Sequence, residues 1–158
     1  MTPEQIELVR SSYASLGDDA PAMASDFYRR LFTIDPSART LFSQEPAVMA
    51  EKFAAELNAI VEAIISFDVF SARLRHLATR HRAAGVRPRH YSSAGDALVG
   101  ALADHLAPDW TPAAESAWRR AYNLVAEIMI AAAADLDLQS AASPTPPTSE
   151  PAEVEDSS

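Results

Sequence analysis

Leu77-Ala78-Thr79-Arg80-His81-Arg82-Ala83-Ala84-Gly85-Val86-Arg87-Pro88-Arg89-His90-Tyr91 is the stretch on which the reading of this chain turns. Leu74, Leu77 and His81 stand at i, i+3 and i+7, so a helix through them presents all three on one stripe. Gly85 stops that helix and Pro88 opens another almost at once. An imidazole on an apolar stripe, one turn before a helix end, is well placed to ligate something held in the core. By spacing alone, an ordinary core or edge histidine is the commoner occupant of such a position.

The rest of the chain reads as further helices with clear start signals. Thr2 caps a first helix, with Pro3 at its first position and Gln5 completing a capping box. Its stripe is Ile6, Val9, Tyr13 and Leu16. A second helix starts near Asp19-Ala20-Pro21 and carries Met23, Phe27 and Leu31, with Tyr28 beside them. Asp35-Pro36 opens a short third helix ending near Leu41-Phe42. Pro46 starts a long one with Met49, Phe53, Leu57, Ile60 and Ile64 on one face. Asp68 is expected to cap the His81 helix. Pro88 begins another, with Tyr91, Ala94, Leu98 and Leu102, and Thr111-Pro112 opens a last one bearing Trp118, Tyr122, Val125 and Met129. With no sustained β-alternation and no repeat, the pattern predicts an all-α fold of about seven helices.

Composition narrows the chemistry. At 158 residues the chain is long enough for one domain with a substantial core. The absence of cysteine excludes disulfides, thiolate-bound metals, iron–sulfur clusters and a Cys nucleophile. No apolar run approaches a membrane span, and the first residues carry no secretory pattern, so the expected location is the cytoplasm. A net charge of −9 disfavours nucleic acid as a partner. The positive charge is concentrated, however: six of the thirteen basic residues (Arg73, Arg75, Arg80, Arg82, Arg87, Arg89) surround His81. From about Gln139 the chain lacks large apolar groups and is rich in Pro, Ser and acid, so residues 138–158 are expected to form a disordered tail after a domain of residues 1–137.

A buried imidazole is the commonest protein ligand of haem iron, and a single axial His leaves the opposite position open for a gas. Such a site needs a flat apolar slot, a polar group on the open side and cations near the haem carboxylates. Phe42 and Phe53 are placed to wall a planar ligand. Tyr28 adjoins an apolar face from which its hydroxyl can donate. The arginines near His81 match carboxylate geometry.

Taken together, Phe27-Tyr28-Arg29-Arg30-Leu31-Phe32, Leu41-Phe42, His81 through Gly85-Val86, His90-Tyr91, Trp118-Arg119-Arg120-Ala121-Tyr122 and Ala134-Asp135-Leu136 are similar, in order, to bacterial globins. The likeness is to the haem domain of flavohaemoglobins and to single-domain bacterial haemoglobins, over roughly residues 1–137. The resemblance implies a globin fold around haem b, with His81 as the proximal iron ligand. It implies cofactor contacts from Tyr28, Phe42, Met49, Phe53, Leu77, Arg80, Val86 and Tyr91. Phe42 matches the Phe that packs on the haem, and Tyr28 the distal Tyr that hydrogen-bonds bound dioxygen. Met49 falls where relatives carry Gln, and Phe53 one turn on, at the apolar position over the iron. Tyr91 matches a proximal-side Tyr that joins the proximal His and a Glu of the last helix in a hydrogen-bond network.

Two departures from the family pattern bear on reactivity. The network Glu aligns with Ala133, which removes the anionic support that would make His81 a stronger donor and argues against peroxidase-like chemistry. Met49 removes a second distal donor and leaves Tyr28 as the main one. The other histidines have plain readings: His76 and His90 are expected at the surface, and His105 near the negative end of its helix.

Three functions follow as expectations. The first is reversible binding of O2, and of NO and CO, for oxygen transport or NO handling. The second is NO dioxygenation with Tyr28 as the candidate catalytic residue; no reductase segment follows the globin, so a separate flavin reductase would be the partner, with the arginine cluster as its docking patch. The third is a gas or redox sensor, or a haem-free interaction module.

Overall fold

The computed structural model describes residues 1–143. Six α-helices follow one another without a strand among those residues: α1 (Pro3–Leu16), α2 (Ala20–Ile34), α3 (Pro46–Ala63), α4 (Phe67–Ala83), α5 (Pro88–Leu106) and α6 (Pro112–Ala142). Short 3₁₀ turns at Gly17–Asp19 and Pro36–Leu41 complete the chain. The expected helix after Asp35-Pro36 is the second of these, begun where the Asp35 carboxylate accepts from the Ser37 N–H at 3.1 Å.

Helix starts follow from local chemistry. A proline stands in the first turn of α1, α2, α3, α5 and α6, where its missing N–H costs nothing. Thr2 and Gln5 form the expected reciprocal capping box, and the Thr111 hydroxyl accepts from the Ala114 N–H at 3.1 Å to cap α6. The exception is α4. Its N-cap is Ser66, in an extended conformation, and Asp68 lies within the first turn rather than at the cap. There its carboxylate still favours the positive end of the helix.

The end of α4 is built by Gly85. Its φ of 98° lies in the region that side chains disfavour. The Gly85 N–H donates to the Arg82 carbonyl at 3.1 Å and the Val86 N–H to the His81 carbonyl at 3.0 Å, the two bonds of a Schellman motif. The backbone of His81 is thereby tied to the turn that follows it.

Helices α3 and α5 flank α2, while α4 and α1 both pack on α6. Small residues let neighbours approach: Ala24 on α2 meets Ala50 and Ala54 on α3 in one buried cluster. Phe70, Met23, Leu74, Leu102 and Val9 are the largest fully buried side chains of the core, each contributing about 1.5–3 kcal/mol. Helix α6 runs on to Ala142, five residues past the expected domain boundary at 137, because Ala-rich sequence favours helix even without apolar anchors. The rest of the predicted tail lies outside the described residues.

Candidate functional site: an aromatic cavity facing one free imidazole

A cavity of about 870 Å³ opens between α3 and α4 and reaches back to α5 and α6. That volume falls within the range of small-molecule and cofactor sites. Tyr28, Phe42, Phe53, Leu77, Arg80, His81, Val86 and Tyr91 all line it, so the structure gathers these sequence-predicted residues from four helices and two connectors. Met49 is the one that does not join them: it is buried on α3 but outside the lining, one turn before Phe53.

The wall contributed by α2 and α3 is a set of interlocked rings. Phe27 and Phe53 stack with centroids 4.3 Å apart and planes 16° from parallel. Tyr28 meets Phe27, Phe42 and Phe53 edge-on at 5.1, 5.2 and 5.7 Å. These are the offset and edge geometries that ring quadrupoles favour, and they fix the phenol without a hydrogen bond. Burial pushes the Tyr28 hydroxyl up to about 12, so it remains a proton donor at any physiological pH.

On the opposite side His81 is mostly shielded, and its Nδ1 lies 3.1 Å from the Leu77 carbonyl oxygen. A carbonyl only accepts, so Nδ1 carries the proton and Nε2 keeps its lone pair. Burial, aided by the neighbouring Arg80 charge, holds the imidazole below its ordinary pKa despite that bond, which favours the neutral ring a metal requires.

A second imidazole lines the cavity. His90 is buried, not at the surface as expected, and its Nδ1 accepts the Arg87 N–H at 2.8 Å. Nδ1 is thus occupied as an acceptor, and Nε2 faces the Arg89 guanidinium, whose Nε lies 3.5 Å away. His76 is exposed, as its position on the helix suggested. His105, in the last turn of α5, also places Nε2 3.7 Å from the Asp26 carboxylate on α2. Among the described residues no three His, Cys, Asp or Glu side chains come together as a metal cluster.

The back wall is built from α5 and α6. Tyr122 donates its hydroxyl to the Tyr91 carbonyl at 2.6 Å. Its ring passes so close to Gly95 that a Cβ there would stand 2.6 Å from Cε1. The expected network through Tyr91 takes a different form: His81 Nδ1 turns to the Leu77 carbonyl, and it is the Tyr91 backbone, not a carboxylate of the last helix, that receives a hydrogen bond from α6. At the mouth Lys52, Glu56, Arg73 and Arg80 line the rim, with Glu56 pairing Arg73 at 3.1 Å and Arg80 at 3.8 Å. Sequence reading missed His90, Glu56 and the wall role of Tyr122. Only Gly95, a glycine inside a helix four residues after Tyr91, signalled a close approach.

Over residues 25–129 the chain matches the globin family. The chain belongs to that family. This globin is 27% identical to the flavohemoprotein of Bacillus subtilis over 134 residues, covering 83% of this chain and 34% of that protein. It is 30% identical to the anaerobic nitrite reductase NSHB5 of Oryza sativa subsp. indica over 128 residues, covering 77% of this chain and 88% of the relative. The chain therefore spans about a third of the length of its flavohemoprotein relatives. Its fold superposes on an engineered carbene transferase from Rhodothermus marinus with a TM-score of 0.80 at 29% identity, covering 89% and 99% of the two chains. A bacterial globin from Campylobacter jejuni shares the fold, with a TM-score of 0.74 at 22% identity over 86% and 99% of the chains.

Globin membership implies haem, and the cavity fits it. The slot has aromatic walls, one imidazole with an uncommitted lone pair, the half-buried phenol of Tyr28 held among rings, and cations at the rim. No described helix is long and apolar enough to cross a membrane.

Proposed function

We propose that this globin holds haem b between α3 and α4, with His81 Nε2 as the nitrogen that would hold its iron, and binds O2, NO and CO reversibly beside Tyr28. One observation carries the reading. Two imidazoles line the cavity, and only that of His81 presents an unprotonated nitrogen not already engaged as an acceptor.

When bound, haem would supply an iron that takes up a diatomic gas. The remaining chemistry belongs to the chain. Tyr28 would supply a hydrogen-bond donor to that gas from a hydroxyl that its ring neighbours hold in place. Phe27, Phe42 and Phe53 keep water from that space. Arg73, Arg80 and Lys52 supply cations for carboxylates at the mouth, Arg in a bidentate geometry. Leu77 holds His81 through a neutral carbonyl, and with Ala133 in the last helix no carboxylate there supports the ring; the Glu56 charge at the mouth raises its pKa, the smallest of the influences on it. That combination supports gas binding over peroxide chemistry.

A second reading is NO dioxygenation, in which NO, O2 and one electron yield nitrate and a separate flavin reductase supplies the electron. The flavohemoprotein relatives support it, as do the exposed Arg75, Arg87 and Arg89 in the segment that carries His81. One experiment separates the two. The purified chain is loaded with haem, spectra of its ferrous, CO and O2 forms are recorded, and NO consumption is timed with a flavin reductase present. A stable O2 form with slow NO turnover supports carriage, and rapid catalytic NO loss supports the dioxygenase. Failure to retain haem overturns both.

A further inference from the structure

We infer that His90 is a positioning residue: its imidazole fastens the α4–α5 connector, and so the seats of His81 and Tyr91. The haem-linked part of this inference rests on the reading of His81 as the ligand.

The geometry is that of a capping box with an unusual member. Arg87 is the N-cap of α5, and His90 occupies the third helical position. At that position Glu or Gln ordinarily reaches back to accept the N-cap N–H. Here His90 Nδ1 performs this task at 2.8 Å, with the residue only 6% exposed. Without the ring the Arg87 amide would lose its partner.

The ring sits among charges of both signs. From its own turn it faces Arg87 and Arg89, the latter donating from Nε towards His90 Nε2 at 3.5 Å. From the end of α2 it faces Asp35, whose carboxyl is lowered chiefly by the Ser37 hydroxyl and only secondarily by His90 and Arg89. No ion pair joins Asp35 to His90 among the described residues.

The connector it fastens is short. Between α4 and α5 lie only residues 84–87, pinned at the α4 end by the Val86 N–H to His81 carbonyl bond of 3.0 Å. Its other end is the His90–Arg87 bond. Tyr91, the next residue, lines the cavity and receives the Tyr122 hydroxyl through its carbonyl at 2.6 Å. Losing the His90 bond therefore loosens the segment that joins the imidazole of His81 to the back wall.

The test compares the chain as purified with His90→Gln, which keeps an acceptor at this position, and His90→Ala, which has none. Amide exchange of the segment 84–91 is followed by mass spectrometry. Transfer of haem to an excess of acceptor protein is timed for each protein. His90→Ala is expected to lose protection in this segment by about tenfold, as loss of a cap predicts, and to release haem several-fold faster. His90→Gln should keep both close to wild type. Wild-type protection in His90→Ala, or a loss in His90→Gln as large as that in His90→Ala, overturns the inference. If exchange follows the expected pattern while none of the three proteins retains haem, His90 keeps its role and the reading of His81 fails instead.

Discussion

His81 Nδ1 is committed to the Leu77 carbonyl one helical turn back on α4, at 3.1 Å, so the helix itself sets which nitrogen of the ring meets the cavity. Removing the ring removes the only unengaged imidazole nitrogen there. His81→Ala is expected to weaken haem retention by more than about a hundredfold, beyond what losing a supporting hydrogen bond does. Helical circular dichroism should persist, and added free imidazole should restore a ligand-bound absorption spectrum. Unchanged haem affinity in the variant would place the ligand elsewhere.

Tyr28 is held by rings and not by a hydrogen bond, so Tyr28→Phe should leave unfolding free energy within about 0.5 kcal/mol of wild type. The same change removes the donor beside the gas. O2 release is expected to quicken about five- to tenfold, the equivalent of one ordinary hydrogen bond, while CO release changes less. Flash photolysis and stopped-flow mixing give both rates, and equal effects on the two gases would show that the hydroxyl points away from them.

Gly85→Ala and Gly95→Ala test two different demands on glycine. At Gly85 the φ of 98° strains any side chain, and a Cβ would also meet Leu41 Cδ2 at 3.3 Å. A cost of about 1–2 kcal/mol is expected. At Gly95 the backbone is ordinary helix, and the cost comes from the Tyr122 ring, so overpacking of about 1–3 kcal/mol applies. Urea denaturation measures both. Replacing Tyr122 by a smaller residue should ease the second penalty and leave the first untouched.

Asp26 sets the acid limit of the α2–α5 contact. Burial raises its carboxyl, but hydrogen bonds from Arg30 and Arg29 outweigh this and hold it below its ordinary 3.8. Arg30 also bridges to Asp104 on α5. A lowered folded-state pKa means stability that is complete above the unfolded value and lost as pH falls through the folded one. Asp26→Asn should therefore destabilise the protein near neutrality, by about 1–3 kcal/mol, and flatten the decline in stability below about pH 4. An acid limb as steep as that of the wild type would show that another carboxylate governs it.

Much of this architecture was legible because its signals are local. Prolines marked five helix starts, Thr2 and Gln5 a box, and Gly85 a stop, each acting within one turn of chain. The start of α4 was misplaced because Ser66 makes no side-chain cap, which left Asp68 as the stronger local cue. The cavity residues were found through family likeness, since no spacing rule brings Tyr28 and Phe53 together. His90 was read as surface because its burial depends on the fold around the start of α5, and its bond to Arg87 required an imidazole to act as Gln does in a capping box. Tyr122 was read as core, and its hydrogen bond to Tyr91 arises only once α5 and α6 are packed.

The close seat of Tyr122 against Gly95 gives the cavity one fixed jaw. On that side α5 and α6 are separated by no more than a ring in contact with backbone, and the ring is itself bonded to Tyr91. The facing jaw, α3, is held at the mouth by Glu56 and two arginines whose side chains are 41% and 58% exposed, pairs of the kind worth less than about 1 kcal/mol each. Traffic into and out of the slot is therefore expected to follow the lifting of α3, with the opposite wall standing still as the reference surface.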